Sequence, residues 1–239
     1  MPQVVPLEAR SFGQTEKIIL AASAVCALVY LATVSRQPFP GSVIIKAAAI
    51  VYLAVLAFRL LGGIDRVLLT AALLLSATGD VLLDWNERFF IHGLIAFALA
   101  HIAYLCLFGR HLRGGLGRGG DRYALVAATL LYSGVLVWRV WPGLERLKVP
   151  VIIYVVIITT MVIVAVLAPF TSQLIGFGAV LFLISDSLLG LNKFRQPIPA
   201  AGYLIWATYY LAQCGIAMGL FREGKLGGVR VIENKIEAT

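Results

Sequence analysis

Eight nearly continuous apolar stretches leave this chain few ways to fold. They cover residues 18–34, 42–61, 67–83, 90–108, 123–141, 149–168, 173–191 and 199–221. Each has about the 17–25 residues that a helix needs to cross the hydrocarbon of a bilayer. Lipid offers no hydrogen bonds to a backbone, so every such stretch must pair its own N–H and C=O groups, which a helix does. The expectation is an all-α, polytopic membrane protein of eight transmembrane helices, with residues 1–239 as a single integral membrane domain. Composition agrees: 60% of residues are hydrophobic and 13% charged, where a soluble domain is about half apolar and a quarter charged. The second stretch fits least well, because Lys46 and Arg59 lie inside it. The first is too long for a signal-peptide core and follows Glu8 and Glu16, so it reads as a retained helix.

The longest connection, 109–122, is too short for a soluble domain. Cys26, Cys106 and Cys214 all fall within apolar stretches and suggest small buried residues rather than a disulfide framework or a metal site. The net charge of +8 reads as loop anchoring, not as nucleic-acid binding. With eight helices both termini share a side. That side carries eleven basic residues: Arg10, Lys17, Arg66, Arg110, Arg113, Arg118, Arg122, Arg222, Lys225, Arg230 and Lys235. The other carries seven: Arg36, Arg88, Arg139, Arg146, Lys148, Lys193 and Arg195. The bias predicts cytoplasmic termini.

Two stretches resemble each other. The third helix ends GDVLLDWN and the seventh SDSLLGLN, both reading D-x-L-L-x-x-N. The pattern aligns Asp80, Leu82, Leu83 and Asn86 with Asp186, Leu188, Leu189 and Asn192. A possible 4+4 parallel internal repeat would account for this, and it sets two aspartates at similar depth on one side.

Ionisable groups inside a bilayer cost at least about 2.5–3.5 kcal/mol each, so they survive by pairing or by acting. Lys46, Asp80, His92 and Asp186 gather toward the end of the bundle opposite Arg59, with Lys193 and Arg195 just beyond and His101 deeper. Helical spacing puts Ser76, Asp80 and Asp84 on one stripe, and Gly93, Phe97, His101 and Tyr104 on another. Phe182, Asp186, Leu189 and Lys193 align on the seventh helix, while Tyr209, Tyr210 and Gln213 on the eighth are within reach of a polar core. Asp84, beside Trp85, Asn86 and Arg88, reads as a solvated interfacial residue, and His92 as an interfacial helix start. Asp80 and Asp186 stand apart as two converging buried carboxyls.

An apolar site disfavours the carboxylate anion, and two neighbouring carboxyls separate further in their affinity for a proton. Such a pair suits chemistry that passes through an oxocarbenium ion, with one acid and one anion. No GxSxG motif supports a serine nucleophile. No HExxH-type spacing supports a metal site built from Asp80, Asp186, His92 and His101.

These motifs carry a resemblance. GDxLL, the spacing of Phe90, Gly93, Phe97, His101 and Tyr104, FLISDSLLGLNKF and TYYLAQ together resemble the YhhN-like lysoplasmalogenase family of eight-helix membrane proteins. The resemblance covers roughly residues 46–213. It implies hydrolysis of the vinyl ether bond of a lysoplasmalogen to a fatty aldehyde and glycerophosphoethanolamine or glycerophosphocholine. It also implies Asp80 and Asp186 as the catalytic pair. That reaction needs an acid and a carboxylate but no cofactor. The expected partners are a lysophospholipid substrate and membrane lipids. His101, Tyr104 and Asn192 are expected to orient the pair or the water, and Lys46, Lys193 or Arg195 to hold the phosphate, with Tyr210 and Gln213 as further supporting residues. The competing class is a proton-coupled transporter or channel using the same carboxylates. The membrane would be the endoplasmic reticulum in a eukaryote and the inner membrane in a bacterium.

Overall fold

The computed structural model describes residues 12–237 except 37, 38, 40, 113, 114 and 118, and side chains as far as residue 224. Arg10, Arg113 and Arg118, and the side chains of Lys225, Arg230 and Lys235, therefore lie outside the described residues. The chain is helical: α1 Gln14–Thr33, α2 Ser42–Leu60, α3 Gly63–Trp85, α4 Phe90–Leu112, α5 Gly120–Val140, α6 Lys148–Leu167, α7 Gln173–Phe194 and α8 Ala201–Glu237. Among the described residues there is no strand. Eight helices are long and apolar enough to cross a membrane, so the protein is a polytopic membrane protein. Most helices outrun the apolar stretch that announces them. α7 continues through Asn192, Lys193 and Phe194, and α8 continues past Phe221 to Glu237. Hydropathy marks only the lipid-covered part, while the i→i−4 ladder extends into water where the sequence allows it.

The helices pack in two groups. α1, α2, α3 and α4 follow one another side by side, and α7 packs most extensively on α8. α6 ties the groups together by lying against α4 as well as α5 and α7, and α8 closes the other side against α1 and α2. The α7–α8 contact is close because both faces are stripped of side chains. A Cβ on Gly178 would stand 2.7 Å from the Ala212 carbonyl oxygen, and one on Gly215 would stand 3.2 Å from Gly178 Cα. Small residues of this kind let backbones approach in a membrane, where van der Waals packing replaces hydrophobic drive. The lipid-facing surface is apolar, with Leu131 and Trp138 of α5 and Leu28 of α1 exposed.

The two charges that make α2 look irregular are both paired. Arg59 donates to Glu16 Oε1 of α1 from Nε at 3.0 Å and Nη2 at 2.8 Å. Lys46 reaches across to α3. At the Arg59 end, the α6–α7 connection is held from both sides. Arg122 Nη1 donates to the carbonyls of Val166 and Ala168, and Glu223 of α8 accepts from the Ser172 amide.

Candidate active site

α4 and α7 stand apart along their backbones, and aromatic rings span the gap, with Phe97 against Phe182 and His101 against Phe182. A cavity of roughly 270 Å³ opens beside them. Asp80 from α3 and Asp186 from α7 both line it, as the shared D-x-L-L-x-x-N depth suggests.

Each carboxyl has its own tyrosine. Tyr209 of α8 donates to Asp80 Oδ2 at 2.7 Å, and Tyr154 of α6 donates to Asp186 Oδ2. The rest of their surroundings differ. Lys46 Nζ lies 3.3 Å from Asp80 Oδ1 and also donates to Asp84 Oδ1 and Oδ2 at 3.0 and 3.1 Å. Asp186 has no lysine or arginine beside it among the described residues; its neighbour is His101, with Nε2 at 3.7 Å. The contacts on Asp186 all fall on Oδ2.

The histidine's tautomer follows from its backbone partner. His101 Nδ1 sits 2.5 Å from the Phe97 carbonyl oxygen. A carbonyl can only accept, so Nδ1 carries the hydrogen and donates it. In the neutral ring Nε2 is then a bare lone pair, buried and without a hydrogen-bond partner, on the side of Asp186. The ring is held edge-on between Tyr154 and Phe182.

The cavity lining is amphipathic. Tyr30, Lys46, Asp84 and Trp206 cluster next to the ends of α1 and α3 and the starts of α2 and α8. The two aspartates line it with Tyr154, Tyr209 and Ser185, and Leu94, Leu136, Val151, Val155 and Ile158 are apolar lining residues. Next to Ile158, Thr159 of α6 donates to Ser133 Oγ of α5 at 2.8 Å. A second, apolar groove between α4 and α6 shares Leu94 and Tyr154 with the main cavity.

Of the residues singled out in the sequence, Asp80, Asp186 and Lys46 meet at the cavity. His101 backs Asp186. Tyr104 donates to Gln213 Oε1, and both are buried behind the cavity. Tyr210 turns to α1 instead, 2.9 Å from Ser23 Oγ. Asn192 Oδ1 accepts from the Ile198 amide at 2.9 Å and so fastens the α7–α8 connection. Its counterpart Asn86 accepts from the Arg88 amide at the α3–α4 turn. Lys193 pairs with the exposed Glu87 and covers the Phe90 ring, outside the cavity lining. Asp84 is exposed, as its interfacial reading expects, and it is paired as well. It is an ion-paired cavity residue, because Lys46 lies along α3 and Tyr30 donates to its Oδ2 at 2.9 Å. Tyr30 and Tyr154 are cavity residues with no signal in the sequence; a tyrosine in an apolar helix looks the same wherever it points.

Among the described residues no three His, Cys, Asp or Glu side chains come together as a metal-holding group. The arrangement instead offers one carboxyl balanced by a cation and one surrounded by neutral groups, in an amphipathic cavity inside a helical membrane bundle. That defines an integral membrane protein with an intramembrane carboxyl pair. The chain belongs to the YhhN family, whose match covers residues 41–220. Curated relatives include the lysoplasmalogenase of Mycobacterium bovis, 36% identical over 206 residues, spanning 81% of this chain and 78% of the relative. The lysoplasmalogenase TMEM86B of Sus scrofa is 34% identical over 204 residues, spanning 84% of this chain and 85% of the relative. The human TMEM86B lysoplasmalogenase is 35% identical over 156 residues. No solved structure matches the chain significantly.

Proposed function

We propose that this protein hydrolyses the vinyl ether bond of lysoplasmalogens, with Asp186 as the acid and Asp80 as the carboxylate. The observation that carries this assignment is the unequal charge around the pair. Asp80 has the Lys46 ammonium 3.3 Å away, whereas Asp186 is surrounded by neutral partners. A buried charge is tolerated where it is paired, so the anion belongs on Asp80 and the proton on Asp186.

The reaction then closes on itself. Asp186, held through Oδ2 by Tyr154, gives its proton from Oδ1 to the β-carbon of the vinyl ether. The C=C electrons take the proton, and the ether oxygen shares its lone pair with the adjacent carbon as an oxocarbenium ion. Water adds to that carbon and passes a proton to Asp80. The hemiacetal collapses as Asp80 returns this proton to the leaving glycerol oxygen and Asp186 takes the hemiacetal hydroxyl proton. Fatty aldehyde and glycerophospho-alcohol leave, and both aspartates are back in their starting states. The anion beside the cation, and a preset acid, are the kind of fixed electrostatics that lower such a barrier. Tyr154, Tyr209 and His101 position the carboxyls.

The amphipathic cavity supports an amphiphile as substrate: polar and aromatic groups, the carboxyls and apolar side chains all line it. The groove between α4 and α6 is the proposed lateral path from lipid to Tyr154. The charge bias supports cytoplasmic termini, with the Lys46–Asp84 end of the cavity on the opposite side.

The test is aldehyde release from alkenylglycerophosphoethanolamine by the purified protein in detergent. Asp80→Asn and Asp186→Asn should each lower kcat by about 10²–10⁴-fold, the usual worth of an acid–base group. Wild-type turnover in either variant overturns the mechanism, and no aldehyde from the wild-type protein overturns the function.

A further inference from the structure

The mouth of the cavity contains more than the carboxyl chemistry uses. Asp84, Tyr30 and Trp206 line it beside Lys46, and none of the three is needed to move a proton between Asp80 and Asp186. We propose that Asp84, Tyr30 and Trp206 form a subsite for the ammonium of a zwitterionic headgroup, with Lys46 taking the adjoining phosphate. The proposal rests on the lysoplasmalogenase reading and adds which end of the substrate this region selects.

Three observations carry it. First, the region is built like an ammonium cage. The Lys46 ammonium lies 5.5 Å from the centre of the Tyr30 ring and 6.0 Å from that of Trp206, and the two rings stand 4.6 Å apart. Aromatic faces backed by a carboxylate are the usual surroundings of a bound ammonium. Second, the charges do not cancel. One ammonium faces two carboxylates, which leaves a formal surplus of one negative charge. That surplus falls on Asp84, whose side chain is 26% exposed against 13% for Lys46 and 3% for Asp80. Third, Lys46 lines the cavity directly beside Asp84, so an anion that enters next to an ammonium at Asp84 meets a cation. Phosphate and ammonium are neighbours in a lysophospholipid headgroup, as Lys46 and Asp84 are here.

Asp84 and Tyr30 lie near the ends of α3 and α1, and Trp206 near the start of α8. The same cavity is lined by Asp80 and Asp186 and by apolar side chains such as Leu136 and Ile158. A headgroup at Asp84 then leaves the carboxyls and these apolar side chains for the sn-1 chain.

Binding of two non-hydrolysable ether lipids tests this without depending on turnover. Alkylglycerophosphocholine and alkylglycerophosphate of equal chain length are compared by their Kd for the detergent-solubilised protein. The wild type should favour the choline lipid by about tenfold, the scale of one well-placed cation–π and carboxylate contact. Asp84→Asn should bring the ratio of the two Kd values close to one. Tyr30→Leu, which keeps both charges, should reduce the ratio in the same direction and decides the matter if Asp84→Asn is not recovered as a monodisperse protein. A wild-type protein that binds both lipids equally, or an Asp84→Asn protein that keeps the wild-type ratio, overturns the subsite. A protein that keeps the binding preference but releases no aldehyde from vinyl ether lipids overturns the function and leaves the subsite standing.

Discussion

Replacing Lys46 by methionine probes the charge balance on which the cavity depends. Lys46 Nζ stands 3.3 Å from Asp80 Oδ1 and 3.0 Å from Asp84 Oδ1. At an effective dielectric of about 20, each contact carries about 5 kcal/mol of gross Coulomb attraction. Desolvation of the three ions offsets most of that, so the intact cluster adds little net stability. The cost of the variant has a different origin. Methionine keeps much of the lysine volume but leaves the buried Asp80 carboxylate, with the partly exposed Asp84 beside it, without its cation, and breaking a buried pair in this way costs about 3–5 kcal/mol. For a chain of this size a kcal/mol moves the melting midpoint by about 2–4 °C, so the variant should melt lower by on the order of 10 °C. Thermal unfolding in a single detergent, followed by tryptophan fluorescence, reads this directly. The triple variant Lys46→Met/Asp80→Asn/Asp84→Asn removes all three charges and should regain more than half of the loss. A methionine variant that melts within about 2 °C of the wild type, or a triple variant no more stable than the single one, refutes the reasoning.

Other consequences follow from the same geometry. Tyr154→Phe deletes the hydroxyl that holds Asp186 and should lower kcat by about 10–100-fold, the worth of a hydrogen bond to an ionisable partner, with KM for the lipid little changed. Asn192→Ala loses only the bond to the Ile198 amide; it should cost about 1 kcal/mol of stability while aldehyde release per mole stays at the wild-type rate. Gly178→Val drives a side chain into the Ala212 carbonyl, an overpacking of about 1–3 kcal/mol that should appear as a lower melting temperature and poorer recovery from the membrane. Chelator treatment of the purified protein should leave aldehyde release unchanged, since an acid–carboxylate pair completes the cycle.

The sequence made the membrane architecture legible because a hydropathy run has a length, and the length of a spanning helix is set by the bilayer. It made Asp80 and Asp186 legible because a carboxyl in such a run is expensive. Lys46 was legible for the same reason. Tyr30 and Tyr154 were not. They share the cost and the hydropathy of tyrosines that face lipid headgroups, and only the packing of α1 and α6 shows that they reach a carboxyl. Tyr209, read from its helix as within reach of a polar core, does meet Asp80. Asp84 was read only in part, because depth along a helix says nothing about what lies beside it. Two residues from Asn86 it has the position of an interfacial residue, yet the Lys46 side chain crosses from α2 to meet it. Asn192 and Lys193 show the reverse, since both share a motif with functional positions and fasten the α7 end instead.

Asp80 belongs to the group of helices α1–α4, and Asp186 to the group joined through α6, α7 and α8. On the proposed mechanism, neither half of the chain holds a complete proton cycle. Two polypeptides produced separately, cut between α4 and α5, would each be silent and would regain hydrolysis only by docking α4 on α6 and α8 on α1 and α2. Aldehyde release from such a split protein would then be a reporter of helix association within the bilayer.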